Sequence, residues 1–273
     1  MRAYRLHDTS WTRIVTHRVR RPNVVATRLN SRRRRDHPVP VDGQLVLISG
    51  NHQFDPRTGT VVERRELLDR LVEALSVAGC DGVVASADLL EELALLNVLE
   101  RRLAICTGPG HEQGISVEAI QRSNFDGVRI ATSGRYCVPL ANQIDTLQAA
   151  KVPSLVELVQ SLDDDRVEFD TSWTEWVRPL ESATRAVSTG AGVWFTLPPI
   201  IGMSSLAAQT GFPVLTRDTD VPIDPQAWVA LFARDLPLNV RGMVMGSSAL
   251  FPIKGSVGEA TAQIVGAVRD RLT

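Results

Sequence analysis

VERRELLDRLVEALSVAGCDGVVAS, residues 62–86, carries the repeating unit of the chain in one stretch. In its first part Leu68, Leu71, Val72 and Leu75 recur at helical spacing, opposite Glu63, Arg65, Asp69, Arg70 and Glu73. That is the pattern of a helix with one buried face. Gly79-Cys80-Asp81-Gly82 ends it, and an apolar run begins at once. No polar residue alternates with Val83 and Val84, so both faces of this strand should be buried, as in a parallel sheet.

Runs of the same kind recur at about 44–49, 82–86, 102–106, 126–131, 153–159, 192–196, 213–216 and 241–245, with helical patterns between them. In the last helix Val257, Ile264, Val265, Val268 and Leu272 share a side, and Gly255-Ser256 is its start signal. Gly79–Gly82 and Asn124-Phe125-Asp126-Gly127 read as helix-to-strand turns on the bottom face. Eight strands, each followed by a helix, predict a single α/β domain: a closed (β/α)₈ TIM barrel rather than an open doubly wound sheet. The length, 273 residues, suits it, since such barrels take about 250. The barrel is expected over residues 44–273, after an N-terminal extension, 1–43, with a capping helix over 21–35. Val24, Val25 and Leu29 give that helix an apolar side. Arg32–Arg35 suggest a phosphate-binding arm, but a solvated helix face is the plainer reading.

Hydrophobic residues at 44% and charged residues at 22% are ordinary globular values. A net charge of −1 gives no reason to expect nucleic acid or a membrane as partner. No run is long enough to span a bilayer, and the N-terminus has no signal-peptide stretch. Cys80, Cys106 and Cys137 form neither a paired framework nor a Cys-x-x-Cys motif. A reduced cytoplasmic setting, a small-molecule substrate and a homo-oligomer are expected.

Four segments carry a family resemblance: Leu67-Leu68-Asp69-Arg70-Leu71-Val72, Asp81-Gly82-Val83-Val84, Asp88-Leu89-Leu90-Glu91-Glu92 and Val240-Arg241-Gly242-Met243-Val244-Met245-Gly246. From about Arg21 onward the chain resembles the class I aldolases of the deoxyribose-phosphate aldolase type, and among them an actinobacterial branch associated with myo-inositol catabolism. The resemblance implies a site that this chain lacks in part. Strand 6 ends Val193-Trp194-Phe195-Thr196-Leu197-Pro198-Pro199, and Thr196 stands where the family has its Schiff-base lysine. A hydroxyl cannot form an iminium ion. The chain's two lysines, Lys151 and Lys254, lie elsewhere. Asn51-His52 replaces Asp-His, which removes a proton carrier. Arg129 replaces a lysine and stays charged. Asp218-Thr219-Asp220 replaces the Gly-Gly-Asp that exposes amides to a phosphate, and Gly246-Ser247 replaces Gly-Arg. Glu157 and Asp220 match family positions.

Barrel sites lie at the C-terminal strand ends. There the candidate catalytic residues are His52, Arg129, Glu157 and Asp220, and the candidate substrate-binding residues are Asn51, Asp55, His111, Thr196, Arg217, Asp218 and Ser247. Each also has a structural reading. His52 either acts or caps its loop, Glu157 either moves protons or pairs with Arg129, and Asp218 and Asp220 either act or order the loop before Pro222. His52, His111 and Glu157 form a two-histidine, one-carboxylate set, but without diagnostic spacing, so no metal or cofactor is expected. Gly108–Gly114 reads as a flexible turn, and Trp173, Trp176 and Trp194 either line a pocket or pack on the barrel.

The reading is an aldolase-fold enzyme for a non-phosphorylated carbonyl or sugar-like compound, in specialised or accessory carbohydrate metabolism. It would make or break a carbon–carbon bond, or carry out a related proton transfer or cyclisation, without a lysine Schiff base. The alternative is an inactive aldolase homologue that binds a ligand or a partner protein. A pocket of uncompensated polar groups favours the first; one filled with apolar side chains favours the second.

Overall fold

In the computed structural model the described residues are 6–35, 43–52, 54–108, 116–133, 137–159, 174–198, 202–219, 222–233 and 236–270. Two helices come first, α1 (Asp8–Arg20) and α2 (Pro22–Ser31). The alternation then runs β1 (Leu45–Ser49), α3 (Arg64–Ser76), β2 (Gly82–Ala85), α4 (Ala87–Leu95), β3 (Leu103–Thr107), α5 (Val117–Arg122), β4 (Gly127–Thr132), α6 (Cys137–Ala149) and β5 (Ser154–Leu158). It continues with α7 (Thr174–Arg185), β6 (Val193–Leu197), α8 (Met203–Ala207), β7 (Val214–Arg217), α9 (Pro225–Phe232), β8 (Val240–Met245), the short α10 (Ser247–Leu250) and α11 (Val257–Asp270). The strands are parallel and close in sequence order, β8 pairing with β1. The barrel and its strand positions are those expected from the apolar runs.

Alternate residues of each strand face opposite ways. Val46, Ile48, Val83, Val128, Ile130, Val156, Phe195 and Met243 pack outward against the helices, where Leu68, Leu71, Leu75, Ile264 and Val268 meet them. Leu45, Leu47, Val84, Leu103, Ile105, Leu155, Leu215 and Val244 point inward, with Trp194 packed on them, and fill the lumen. One glycine is required where the ring closes: Gly242 has φ +149°, and a Cβ there would lie 1.9 Å from the Leu45 carbonyl oxygen.

The bottom is held by two carboxylates at strand entrances. Asp81 Oδ2 accepts the Val46 N–H at 2.7 Å and pairs with Arg269 at 2.6 Å; its Oδ1 pairs with Arg35 at 2.8 Å. Asp126 Oδ2 accepts the Ala104 N–H and an Arg32 N–H, each at 2.8 Å, and Oδ1 takes Arg34 Nε–H at 2.7 Å. This corrects the solvated reading of the arginine run. The helix stops at Ser31, and the Arg32 guanidinium is buried, also donating to the Arg102 and Asn124 carbonyls. The reason is charge: Asp81 and Asp126 are buried anions that need cations. Helix α1, unanticipated, docks through Ile14 and through Arg18, which pairs with Glu91 and Glu92 of α4. Among the described residues no helix is long and apolar enough to cross a membrane.

Candidate active site

One inward position further along the strands, polar side chains replace the apolar lumen. Ser49, Asn51 and His52, with Arg129, Glu157, Arg217, Asp218, Thr219 and Gly246, surround a cavity of about 90 Å³ at the C-terminal mouth, floored by Val84 and Val244. Glu157 on β5 is the hub. Its Oε1 accepts an Arg129 Nη2–H at 2.7 Å, its Oε2 the Arg129 Nε–H, and Arg217 Nη1 also donates to Oε1. Burial would raise the Glu157 pKa, but the charges and hydrogen bonds of Arg129 and Arg217 outweigh it and bring it down to about 2. With both oxygens taken and so low a proton affinity, Glu157 cannot exchange protons near neutrality. The expectation that it moves protons is corrected: it anchors two guanidinium groups.

That anchoring leaves donors over. Arg217 Nε and Nη2 are buried without a hydrogen-bond partner, as are Thr196 Oγ1 and His52 Nε2. Thr196 stands on the inward face of β6, two residues beyond Trp194, and is fully buried. His52 keeps some exposure as a residue, but Nε2 is sealed from solvent. Desolvation, and then the Arg217 charge, lower its pKa to about 4, so the imidazole is neutral at physiological pH. Phe251 holds it edge-on, with ring centroids 5.9 Å apart.

Asp218, just past β7, accepts from four donors. Oδ2 takes the N–H of Gly246 at 2.8 Å and of Ser248 at 2.9 Å; Oδ1 takes the Thr219 N–H and the Ser248 hydroxyl, each at 2.7 Å. Burial nevertheless raises its pKa to about 6 against these donors. Gly246 makes the approach possible, since a Cβ there would lie 2.8 Å from His52 Nε2. Ser248 was missed by sequence reasoning; the small residues Gly246-Ser247-Ser248 after β8 were the available signal.

Asp55 and Ser247 sit apart from the cavity. Asp55 is clamped by Arg57 at 2.5 Å, which holds its carboxyl below the usual range, and its carbonyl closes a turn with Thr58 and Gly59. Its role is to order the first loop. Ser247 is fully buried, donates its hydroxyl to the Thr219 carbonyl, and does not line the cavity. Asn51 is exposed and donates to Thr107 Oγ1 at 3.0 Å. Asp220, His111 and Trp173 lie outside the described residues. Trp176, on α7, is buried in the outer core, and Trp194 packs on the lumen side chains. Lys151 and Lys254 are both exposed; Lys151 lies in the turn before β5 and Lys254 between α10 and α11. Burial pushes the Cys80 and Cys106 thiols up to about 12 and about 11, so both are inert.

Residues 49–114 and 113–265 match the sequence profile of a family described as Cgl0159-like. The chain belongs to that family. The solved structure of Cgl0159 from Corynebacterium glutamicum is 22% identical, with TM-score 0.84 over 98% of this chain and 99% of that one. An archaeal fructose-1,6-bisphosphate aldolase, its catalytic lysine bound to the carbinolamine intermediate, has 13% identity and TM-score 0.61 over 89% and 99%. A 3-hexulose-6-phosphate synthase from Salmonella typhimurium has 9% identity and TM-score 0.54 over 83% and 99%. No curated protein sequence matches. At these identities the likeness is one of fold, so the chemistry of this barrel has to be argued from its own mouth.

Proposed function

We propose that this protein is an enzyme acting on a small, non-phosphorylated carbonyl or sugar-like compound without forming a lysine Schiff base. The reaction class is carbon–carbon bond cleavage or formation, or an associated proton transfer or cyclisation. One observation carries the reading: three sealed, unpartnered polar side-chain atoms belong to Arg217 and His52, which line one cavity, and a fourth, Thr196 Oγ1, is buried on β6 beside Glu157. Buried donors without partners are costly, and each is satisfied when a ligand supplies oxygen.

The charges suit a carbonyl that gains negative charge as it reacts. Arg217 Nε–H and Nη2–H, fixed by the hold of Glu157 on Nη1, meet the oxyanion; a fixed donor in such a site contributes about 10²–10³ in rate. Neutral His52 gives or accepts a hydrogen bond through Nε2, according to its tautomer. With Glu157 excluded, the proton carrier in this proposal is Asp220. In the archaeal aldolase a lysine carries the intermediate; here Thr196, in the inward position of β6, leaves polarisation of the carbonyl to Arg217.

The test is a panel of unphosphorylated aldehydes, ketones and keto-sugars, screened for binding and turnover with the unmodified protein and Arg217→Gln. Turnover reduced about 100-fold or more in a folded Arg217→Gln supports the proposal. Binding without turnover would assign the inactive, ligand-binding reading. Neither binding nor turnover anywhere in the panel would sink both.

A further inference from the structure

We propose that Asp218 is a built-in anion that fills the oxyanion cradle between the ends of β7 and β8, and thereby sets the specificity of this mouth against phosphate-bearing compounds. The inference deepens the functional reading above and rests on it for the identity of the mouth as the substrate site.

The donors are the ones an incoming anion would use. In (β/α)₈ barrels a phosphate is often held by the loops after strands 7 and 8 and by the start of a short extra helix. Here Thr219 follows β7, Gly246 ends β8, and Ser248 lies in the first turn of the short α10. Their three N–H groups and the Ser248 hydroxyl all point at one carboxylate, at 2.7–2.9 Å. Asp218 is held there from behind, its own N–H donating to the Val244 carbonyl at 2.9 Å. Ser247, which would have to reach outward to help hold an anion, is turned inward onto Thr219. A second observation shows that the surrounding pocket expects a ligand: His52 Nε2 and Arg217 Nε and Nη2 are sealed and unpartnered in the cavity that Asp218 also lines. The mouth therefore keeps open donors for a substrate oxygen, while the donors suited to a phosphate are occupied by the protein itself. A phosphorylated substrate would have to displace a carboxylate held by four hydrogen bonds and then share the mouth with its charge.

The same geometry explains why placing an arginine at position 247 would not restore a phosphate clamp. Ser247 is fully buried, so a guanidinium there has no room. Removing the Asp218 carboxylate is the change that frees the cradle.

The experiment is calorimetric titration of inorganic phosphate into the unmodified protein, Asp218→Ala and Asp218→Ser, near neutral pH. The unmodified protein should show no phosphate binding at millimolar concentration. Asp218→Ala, with three N–H groups and a hydroxyl released, should bind phosphate at least about 30-fold more tightly. Equal affinity in the two proteins, or no binding by a folded Asp218→Ala, would overturn the proposal. If the alanine variant does not fold, Asp218→Ser, whose short side chain also vacates the cradle, decides through its melting temperature. Phosphate should raise it and leave that of the unmodified protein unchanged; identical responses refute the inference. Gain of phosphate binding by Asp218→Ala, with no carbonyl turnover by any form, would leave this inference standing and remove the proposed function. Carbonyl turnover without that gain would do the reverse.

Discussion

Replacing His52 by glutamine should change the pH dependence of stability in a defined direction. The imidazole pKa is about 4 in the folded protein, lowered from 6.5 first by burial and then by Arg217. Between these values the unfolded chain binds more protons than the native one, so the stability held above pH 6.5 is lost as pH falls to about 4. At about 1.4 kcal/mol for each tenfold change in proton affinity, the loss is about 3 kcal/mol. Asp218 works the other way. Burial raises its pKa from 3.8 to about 6, so the native state holds the extra proton and gains stability as pH falls through the same window. That gain is also about 3 kcal/mol. The two contributions nearly cancel in the unmodified protein. Glutamine at position 52 removes the first and exposes the second. Relative to the unmodified protein, His52→Gln should become more stable by about 3 kcal/mol between about pH 7 and pH 4. Urea unfolding followed by tryptophan fluorescence at several pH values reads this directly, because the other carboxylates titrate in both proteins and drop out of the difference. A difference that stays constant across the range would refute the reasoning.

Glu157→Gln should cost about 3–5 kcal/mol in chemical denaturation, because Arg129 and Arg217 would be left as neighbouring buried cations. In the unmodified protein the Glu157 contribution should be intact above pH 4.5 and vanish as pH falls to about 2, the direction expected for a depressed carboxylate. Borohydride treatment with candidate aldehydes and ketones should leave the intact mass unchanged; an adduct at Lys254 would restore a Schiff-base mechanism from an unexpected place. Arg32→Ala should lower stability by about 3 kcal/mol, since it strips a buried cation from Asp126, and a loss below about 1 kcal/mol would show that Arg34 alone suffices.

The barrel was readable because its strands are apolar on both faces and its helices on one, signals that lie within a few consecutive residues. Val83-Val84 and the Leu68–Leu75 stripe need no distant partner to be recognised. The mouth was readable only in part. Glu157 in an apolar strand required a cation, and Arg129, 28 positions away, was the partner expected and found. The second hold, by Arg217, 60 positions away, turns a candidate proton carrier into an anchor, and nothing local in Ser154–Leu158 marks that. Asp218 was read as the loss of a glycine that would expose amides to a phosphate. That it occupies the amides itself depends on Gly246 and Ser248, 28 and 30 residues on. The arginine run failed for the same reason, because the burial of Arg32 follows from Asp126, 94 positions later. Local pattern fixes which way a side chain faces, while its function is decided by what the closed ring brings opposite it.

The Asp81 carboxylate carries a consequence for synthesis. It gathers Arg35 from the leading segment, Val46 from the first strand and Arg269 from the last helix. A chain emerging from the ribosome has the first two partners early, but the third waits until the last helix of the barrel has been made. The seam where β8 meets β1 is therefore fastened only after the whole barrel has been made, and a chain shortened before Arg269 would leave the ribosome with its ring unlatched at that seam.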